Sequence, residues 1–366
     1  MKKMFLMIAA VLCMGTAASQ QNNADKVSLE TKVYTIKETK IEKAVQSTKK
    51  SKSKKVTTQI ETRKDTLHID AYYDKTAPVP AEGRPTMVYI HGGGFTMGDR
   101  VNAAQEVFCR YLAERGWLAL SVDYRLAGVT TGADGQLQNP YNVDGTLTAI
   151  RMACDDVVDA INFVLADKEW KANPNQVCLG GGSAGAFTSL QMVYDRCNDE
   201  AYTQKLPQDF KFAGVISQAG AIATQADSLT WKTQPCPVMF FHGDKDNVVP
   251  LDKGNLDCNL FGTYYICRQF KTMGVPYWKW IEHGADHVMA MKTLTSYLEE
   301  QYRFLNEFCL KGLKTTVNTD VEDAEPAEMS SVEMMCKYVP LYIFGYGKYL
   351  KDIDWSNIQK PQNIVF

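Results

Sequence analysis

The chain has almost no net charge, few histidines and no long apolar run. Its 40 basic and 42 acidic side chains nearly cancel over 366 residues. No overall field therefore gathers nucleic acid or an anionic membrane. The one sustained apolar stretch, Met4 to Met14, has eleven residues, whereas a helix needs about 20 to cross a bilayer. It follows Lys2 and Lys3 and precedes Ala17 and Ser19, the layout of a secretory signal over residues 1–19 cut before Gln20. Leu12 stands before Cys13, where a lipidation site would need a small residue. Nine cysteines remain after the cut, with no CxxC or Cys/His ligand spacing, so no metal site is indicated and most are expected as small core side chains. With 45% apolar and 22% charged residues, the chain has ample material for a core, which excludes disorder.

Residues 20–64 are polar. Positions 37–55 hold eight Lys against two Glu, which reads as a solvated basic extension. From Thr66 the texture changes. Leu67, Ile69 and Ala71 alternate with polar residues, and Pro85 to Ile90 is a continuous apolar run, both expected as strands. Helical periodicity over 103–115, 151–167, 264–273 and 288–308 is interleaved with buried-strand runs at 117–122, 176–179, 215–217, 238–241 and 277–281. That alternation predicts an α/β architecture, a mostly parallel, doubly wound sheet with helices on both faces. It spans 65–313. Residues 314–366 are expected as an acidic linker, with six acids and no base over 320–333, followed by an aromatic tail that includes Tyr338, Tyr342 and Trp355.

Four short segments carry chemistry. His91-Gly92-Gly93-Gly94-Phe95 follows a strand, and its glycines leave backbone N–H groups open to close approach by a ligand. Gly181-Gly182-Ser183-Ala184-Gly185 lies between the strand at 177–179 and a helix over 184–194, the setting of a nucleophile on a sharp turn. A serine hydroxyl needs a base to take its proton, and that base needs a carboxylate to hold it. The loop after the strand at 238–241 carries Asp244 and Asp246; the loop after 277–281 carries His283 and His287. Each of these segments follows a strand, which brings serine, carboxylate and histidine to one sheet edge. Asp246 is favoured as the acid, with Asp244 better placed to turn its loop, and His287 as the base. His242 reads as structural, at a strand end.

Taken in order, HGGGF, SVDYRL (Ser121 to Leu126), GGSAG, HGDKDNVVP and GADH resemble the α/β-hydrolase superfamily, and within it the HGGG-bearing carboxylesterases of the hormone-sensitive-lipase type and the feruloyl- or acetylesterase-like enzymes. The likeness covers about residues 65–313. It implies the α/β-hydrolase fold and a catalytic triad of Ser183, Asp246 and His287. It also implies an oxyanion hole from the amides of Gly93, Gly94 and Ala184, and structural roles for Asp123, Tyr124 and Arg125. No metal or organic cofactor is implied. Only 63 residues separate Ser183 from Asp246, which leaves room for a small cap or none, an open pocket and no true lipase. The Gly- and Asn-rich insertion at 126–150, with Tyr141, is the expected pocket wall.

The expected activity is hydrolysis of small acyl esters, such as acetyl or feruloyl esters of glycans, by an exported periplasmic or extracellular protein that has no nucleic-acid partner. An amidase, formamidase or peptidase on the same fold is one alternative. A catalytically inactive binding protein for glycans or peptides is the other.

Overall fold

In a computed structural model the chain is described over residues 26–46, 56–127, 130–131, 137–138 and 145–322. The expected signal, most of the insertion with Tyr141, and the aromatic tail lie outside the described residues. Among the described residues nine strands form the main sheet: β1 (Val27–Gln46), β2 (Val56–Asp74), β3 (Arg84–Ile90), β4 (Leu118–Val122), β5 (Ala172–Gly182), β6 (Gly214–Gln218), β7 (Val238–Gly243), β8 (Tyr277–Glu282) and β9 (Thr316–Val321). Their spatial order is β1-β2-β4-β3-β5-β6-β7-β8-β9. From β4 to β9 every adjacent pair is parallel, as the strand–helix alternation predicts.

From β3 the chain steps one way to β4, then returns past β3 to β5 and runs the other way. Loops leaving β3 and β5 therefore diverge from neighbouring strands, opening a crevice at their C-terminal ends where α/β sheets bind ligands. The HGGG segment and Ser183 sit on those two loops.

Side chains alternate across the sheet. Val88 and Ile90 enter a core shared with α2 (Thr146–Ala166), α3 (Ala184–Cys197) and α4 (Thr263–Met273). Met87 and Tyr89 enter the opposite core, against α1 (Ala103–Ala113), α5 (Met289–Ser296) and α6 (Leu298–Phe304). Both faces are covered, which is why these strands read as unbroken apolar runs. The Asn102 carboxamide caps α1, accepting from the Ala104 and Gln105 amides at 2.9 and 3.3 Å. Gly274, in the left-handed conformation at φ 68°, ends α4. Six of the eight described cysteines are buried and all eight are free thiols, as expected of core side chains.

Three features depart from expectation. Part of the basic extension is sheet: β1 pairs antiparallel with β2, from Val27 opposite Asp74 to Gln46 opposite Val56, while residues 47–55, with five of the eight lysines of the 37–55 run, lie outside the described residues. Two lysines of β1 are partnered by body residues more than a hundred positions away. Lys32 reaches Asp167 and Glu169 at 2.8 Å each, and Lys37 reaches Asp155 at 3.1 Å. Composition alone reads such lysines as solvated because the carboxylates that meet them are invisible locally. Beyond residue 313, β9 adds to the sheet edge beside β8, and the Trp278 indole donates to Thr319 Oγ1 at 3.0 Å. As an edge strand β9 needs no apolar run.

The helix expected over 288–308 breaks at Tyr297, which leaves helical geometry at φ −116° and ψ 44°. That ring stacks on Phe241 and donates to the buried Glu282 carboxylate at 2.9 Å. Gln301 Nε2 bridges the break, donating to the Thr293 carbonyl at 2.7 Å and to the Tyr297 carbonyl at 3.0 Å, the latter also accepting the Gln301 amide at 3.2 Å.

Candidate active site

Ser183 joins β5 to α3 with φ 51° and ψ −117°, a strained backbone for a residue with a side chain. The turn is held by its own amide, which donates to the Gln218 carbonyl at 2.9 Å, and by the Phe187 amide, which donates to the Ser183 carbonyl at 2.9 Å. Gly185 must be glycine because a Cβ there would collide with the Ile90 carbonyl. The elbow thus packs directly on the end of β3.

The carboxylate and imidazole arrive on neighbouring loops. β7 and β8 run parallel with Gly243 opposite Glu282. The loops beyond them are tied by the Asp244 amide donating to the Glu282 carbonyl and the Lys245 amide to the Ala285 carbonyl, at 3.2 and 2.9 Å. Asp246 Oδ1 accepts the Val248 and Val249 amides at 2.9 Å each, and Oδ2 lies 2.7 Å from His287 Nδ1. His287 Nε2 lies 2.8 Å from Ser183 Oγ. Because the carboxylate can only accept, Nδ1 carries the proton and the Nε2 lone pair faces the serine hydroxyl. The Asp246 side chain is 0% exposed. Burial alone would raise its carboxyl, but the hydrogen bonds donated by His242 and His287 hold it well below the usual carboxylate range.

The structure therefore brings Ser183, Asp246 and His287 together in one chain of contacts. Asp246 is the acid as expected, but the loop turn falls to it and not to Asp244. Asp246 turns its own loop, whereas Asp244 reaches across to the β8 loop, where Oδ1 accepts the Gly284 amide at 2.7 Å and Oδ2 lies 3.1 Å from His283 Nδ1. His283 is accordingly engaged with Asp244, not with the serine.

Gly93 and Gly94 adopt φ of 111° and 59°. Among the described residues neither amide has a hydrogen-bond partner. The Gly93 carbonyl instead accepts the Thr96 and Met97 amides at 3.1 Å each. Ala184 is the first residue of α3, so its N–H lacks an intrahelical acceptor. His91 is buried and stacks on Tyr124 at 4.3 Å, and its Nδ1 lies 2.7 Å from the Gly92 carbonyl. Burial pushes its imidazole below the usual range, so it shapes the glycine loop as a neutral ring. Asp123 and Arg125 are structural as expected: Asp123 holds Arg100 at 3.0 Å and Arg125 holds the buried Asp156 at 2.8 Å.

Ser183, His287 and the three glycines line a cavity of about 360 Å³. Its further walls come from the β3–α1 loop and from α5, with Met97, Val101, Met291 and Leu294 among the apolar contributors and Asp99, Asn102 and Gln105 among the polar ones. At its mouth Met97, Val101 and Met291 are 40%, 60% and 36% exposed. These wall residues were missed by sequence reasoning. The available signal was two large apolar side chains, Met97 and Val101, standing among the polar and glycine residues of 96–102 after HGGGF. Among the described residues no group of three or more His, Cys, Asp or Glu is arranged to hold a metal ion.

Comparison with known proteins bears on this site. Residues 69–234 match the BD-FAE family model, a span that includes the glycine loop and the serine elbow. Over that span, less than half of its length, the chain is similar to this family. Gut esterase 1 of Caenorhabditis elegans is 28% identical over 130 residues, 35% of this chain and 22% of that protein. The 3-O-acetylpapaveroxine carboxylesterase CXE1 of Papaver somniferum is 33% identical over 119 residues, 32% of each chain. The chain thus spans a third or less of these two relatives. Among solved structures, esterase 2 of Thermogutta terrifontis in its apo form is similar with a TM-score of 0.49 and 21% identity, covering 76% of this chain and 94% of that chain.

Proposed function

We propose that this α/β hydrolase is an exported serine carboxylesterase whose nucleophile is Ser183. The observation that carries the proposal is the contact chain from Ser183 Oγ through His287 to Asp246, at 2.8 and 2.7 Å, beside two unpartnered glycine amides in an apolar cavity. His287 Nε2 takes the serine proton as Ser183 Oγ attacks the ester carbonyl. The amides of Gly93, Gly94 and Ala184 receive the oxyanion, and each such donor is worth about 3 kcal/mol in the transition state. His287 then passes the proton to the departing alcohol. Water, deprotonated by the same nitrogen, attacks the acyl-enzyme and releases the acid. Asp246 holds the imidazole in the required tautomer and stabilises its charged form.

At about 360 Å³, the cavity is at the small end of ligand sites, which run from about 300 to 1,000 Å³. Its methionine and aliphatic walls favour a small ester with an apolar group, and acetyl and feruloyl esters of glycans are the forms to try first. Export rests on the apolar run Met4 to Met14 after two lysines, and N-terminal sequencing of the mature protein should begin at Gln20. A start at Met1 refutes that part.

A fluorophosphonate probe should label the protein, and Ser183→Ala should abolish labelling and lower ester hydrolysis about 10⁴- to 10⁶-fold. Rates on an acetyl ester, a feruloyl ester and an arylamide separate esterase from amidase. A protein that takes no label and cleaves none of them is a binding protein, and the esterase reading fails.

A further inference from the structure

Asp246 faces two imidazoles. His242, the one histidine of β7, is fully buried, and its Nε2 lies 3.3 Å from the same oxygen, Oδ2, that His287 Nδ1 meets at 2.7 Å. The other neighbour of His242 Nε2 is the Val249 carbonyl at 3.2 Å. Both are acceptors, so Nε2 must carry a proton. On the far side of the ring, Nδ1 lies 2.9 Å from Thr263 Oγ1, at the start of α4. With Nε2 protonated, the neutral ring accepts the Thr263 hydroxyl proton at Nδ1, and every polar atom of this buried pair is satisfied.

We propose that His242 and Thr263 are positioning residues for the Ser183–His287–Asp246 triad, the inference resting on the esterase reading above. Thr263 fixes the tautomer of His242. The Nε2–H of His242 then acts on Asp246 in two ways. Its positive end sits against Oδ2 opposite His287, which stops the carboxylate from swinging away from Nδ1. It also binds the carbonyl of Val249, whose amide holds Oδ1 at 2.9 Å. A carboxylate clamped at both oxygens presents a fixed acceptor to His287, and small misplacements of a catalytic group cost about 10²-fold in rate. The side chain read from sequence as a strand-end histidine becomes part of a five-residue line from Thr263 to Ser183.

The test compares His242→Leu, His242→Gln, Thr263→Val and Thr263→Ser in the full chain, each checked for folding by circular dichroism. His242→Leu removes the donor. His242→Gln keeps an N–H near the Nε2 position, and the threonine pair separates hydroxyl from shape. Expected are a kcat at least tenfold lower for His242→Leu with KM within twofold, substantial recovery for His242→Gln, and a smaller kcat loss for Thr263→Val than for His242→Leu. Thr263→Ser should lose less than Thr263→Val. Proton NMR supplies a readout independent of turnover: the low-field resonance of the His287 Nδ1–H should shift or broaden in His242→Leu, and to a lesser degree in Thr263→Val. A folded His242→Leu with kcat within twofold of the unaltered chain and an unmoved resonance overturns the proposal. So does Thr263→Val without effect on either readout. If the unaltered chain neither takes a fluorophosphonate nor cleaves esters, the esterase reading fails, and the resonance still reports whether His242 holds Asp246.

Discussion

The two oxygens of Asp246 do different work, and a single substitution separates them. In Asp246→Asn the amide oxygen can still accept the Val248 and Val249 amides, so the loop turn survives. The amide nitrogen then faces His287 Nδ1 and favours the opposite tautomer, with the proton on the side of the serine. The expected result is a fall in kcat of about 10⁴-fold with a native circular dichroism spectrum. The same variant has a signature in acid. A carboxyl held below its unfolded value, about 3.9 for aspartate, adds stability that is present above that pH and lost as pH falls through the folded value. Urea midpoints measured at pH 5, 4 and 3 should therefore drop more steeply for the unaltered chain than for Asp246→Asn. A steeper fall in the variant would contradict the depressed carboxyl. At this scale the sequence narrowed the acid to Asp244 or Asp246 and favoured the one that meets His287, but it assigned the loop turn to the wrong aspartate. Either residue of Asp-Lys-Asp can form such a turn. What decides is that Asp244 lies opposite the Gly284 amide of another strand's loop.

Among elements, α5 shows how packing overrides periodicity. Apolar spacing runs on through 288–308, yet the chain breaks at Tyr297 because its ring has better partners on Phe241 and Trp280, at 5.8 and 4.7 Å between ring centres. The break leaves a short α5 set across the mouth of the cavity. Met291, half-exposed there, is a side chain that can be enlarged without overfilling the core. Met291→Trp should raise KM for an octanoyl ester about five- to tenfold more than for an acetyl ester, the scale of discrimination by apolar pocket contacts. Equal effects on both esters would mean that α5 does not border the acyl group. Strands β3 to β8 and helices α1 to α4 were legible because an amphipathic or fully buried segment of ordinary length carries its own signal. The pocket wall was not, since it joins two elements about 190 residues apart whose only common property is where the fold sets them.

For the whole molecule, the sheet extends past the segment that carries the motifs. A chain limited to residues 65–313 would lose β1, the first half of β2 and β9. It would uncover the edge of β8 and strip Tyr34, whose hydroxyl donates to the Asp123 carbonyl at 2.7 Å, from the core. Against a chain spanning 26–322 its Tm should be lower by about 10 °C or more, with aggregation through the exposed β8 edge. Scanning calorimetry and light scattering check both, and equal Tm values would show that the added strands contribute nothing.

The sequence by itself determined the parallel α/β body, the order of serine, carboxylate and histidine, and the glycine loop beside them. Those features are local: each is a run of a few residues whose spacing, or whose need for small neighbours, is visible without the rest of the chain. Only the tertiary structure decided that residues 27–46 of the basic extension form a strand, which side chains wall the cavity, and that His242 and Thr263 stand behind Asp246. These are contacts between distant segments, and their energies depend on distances between groups that a linear chain leaves unspecified.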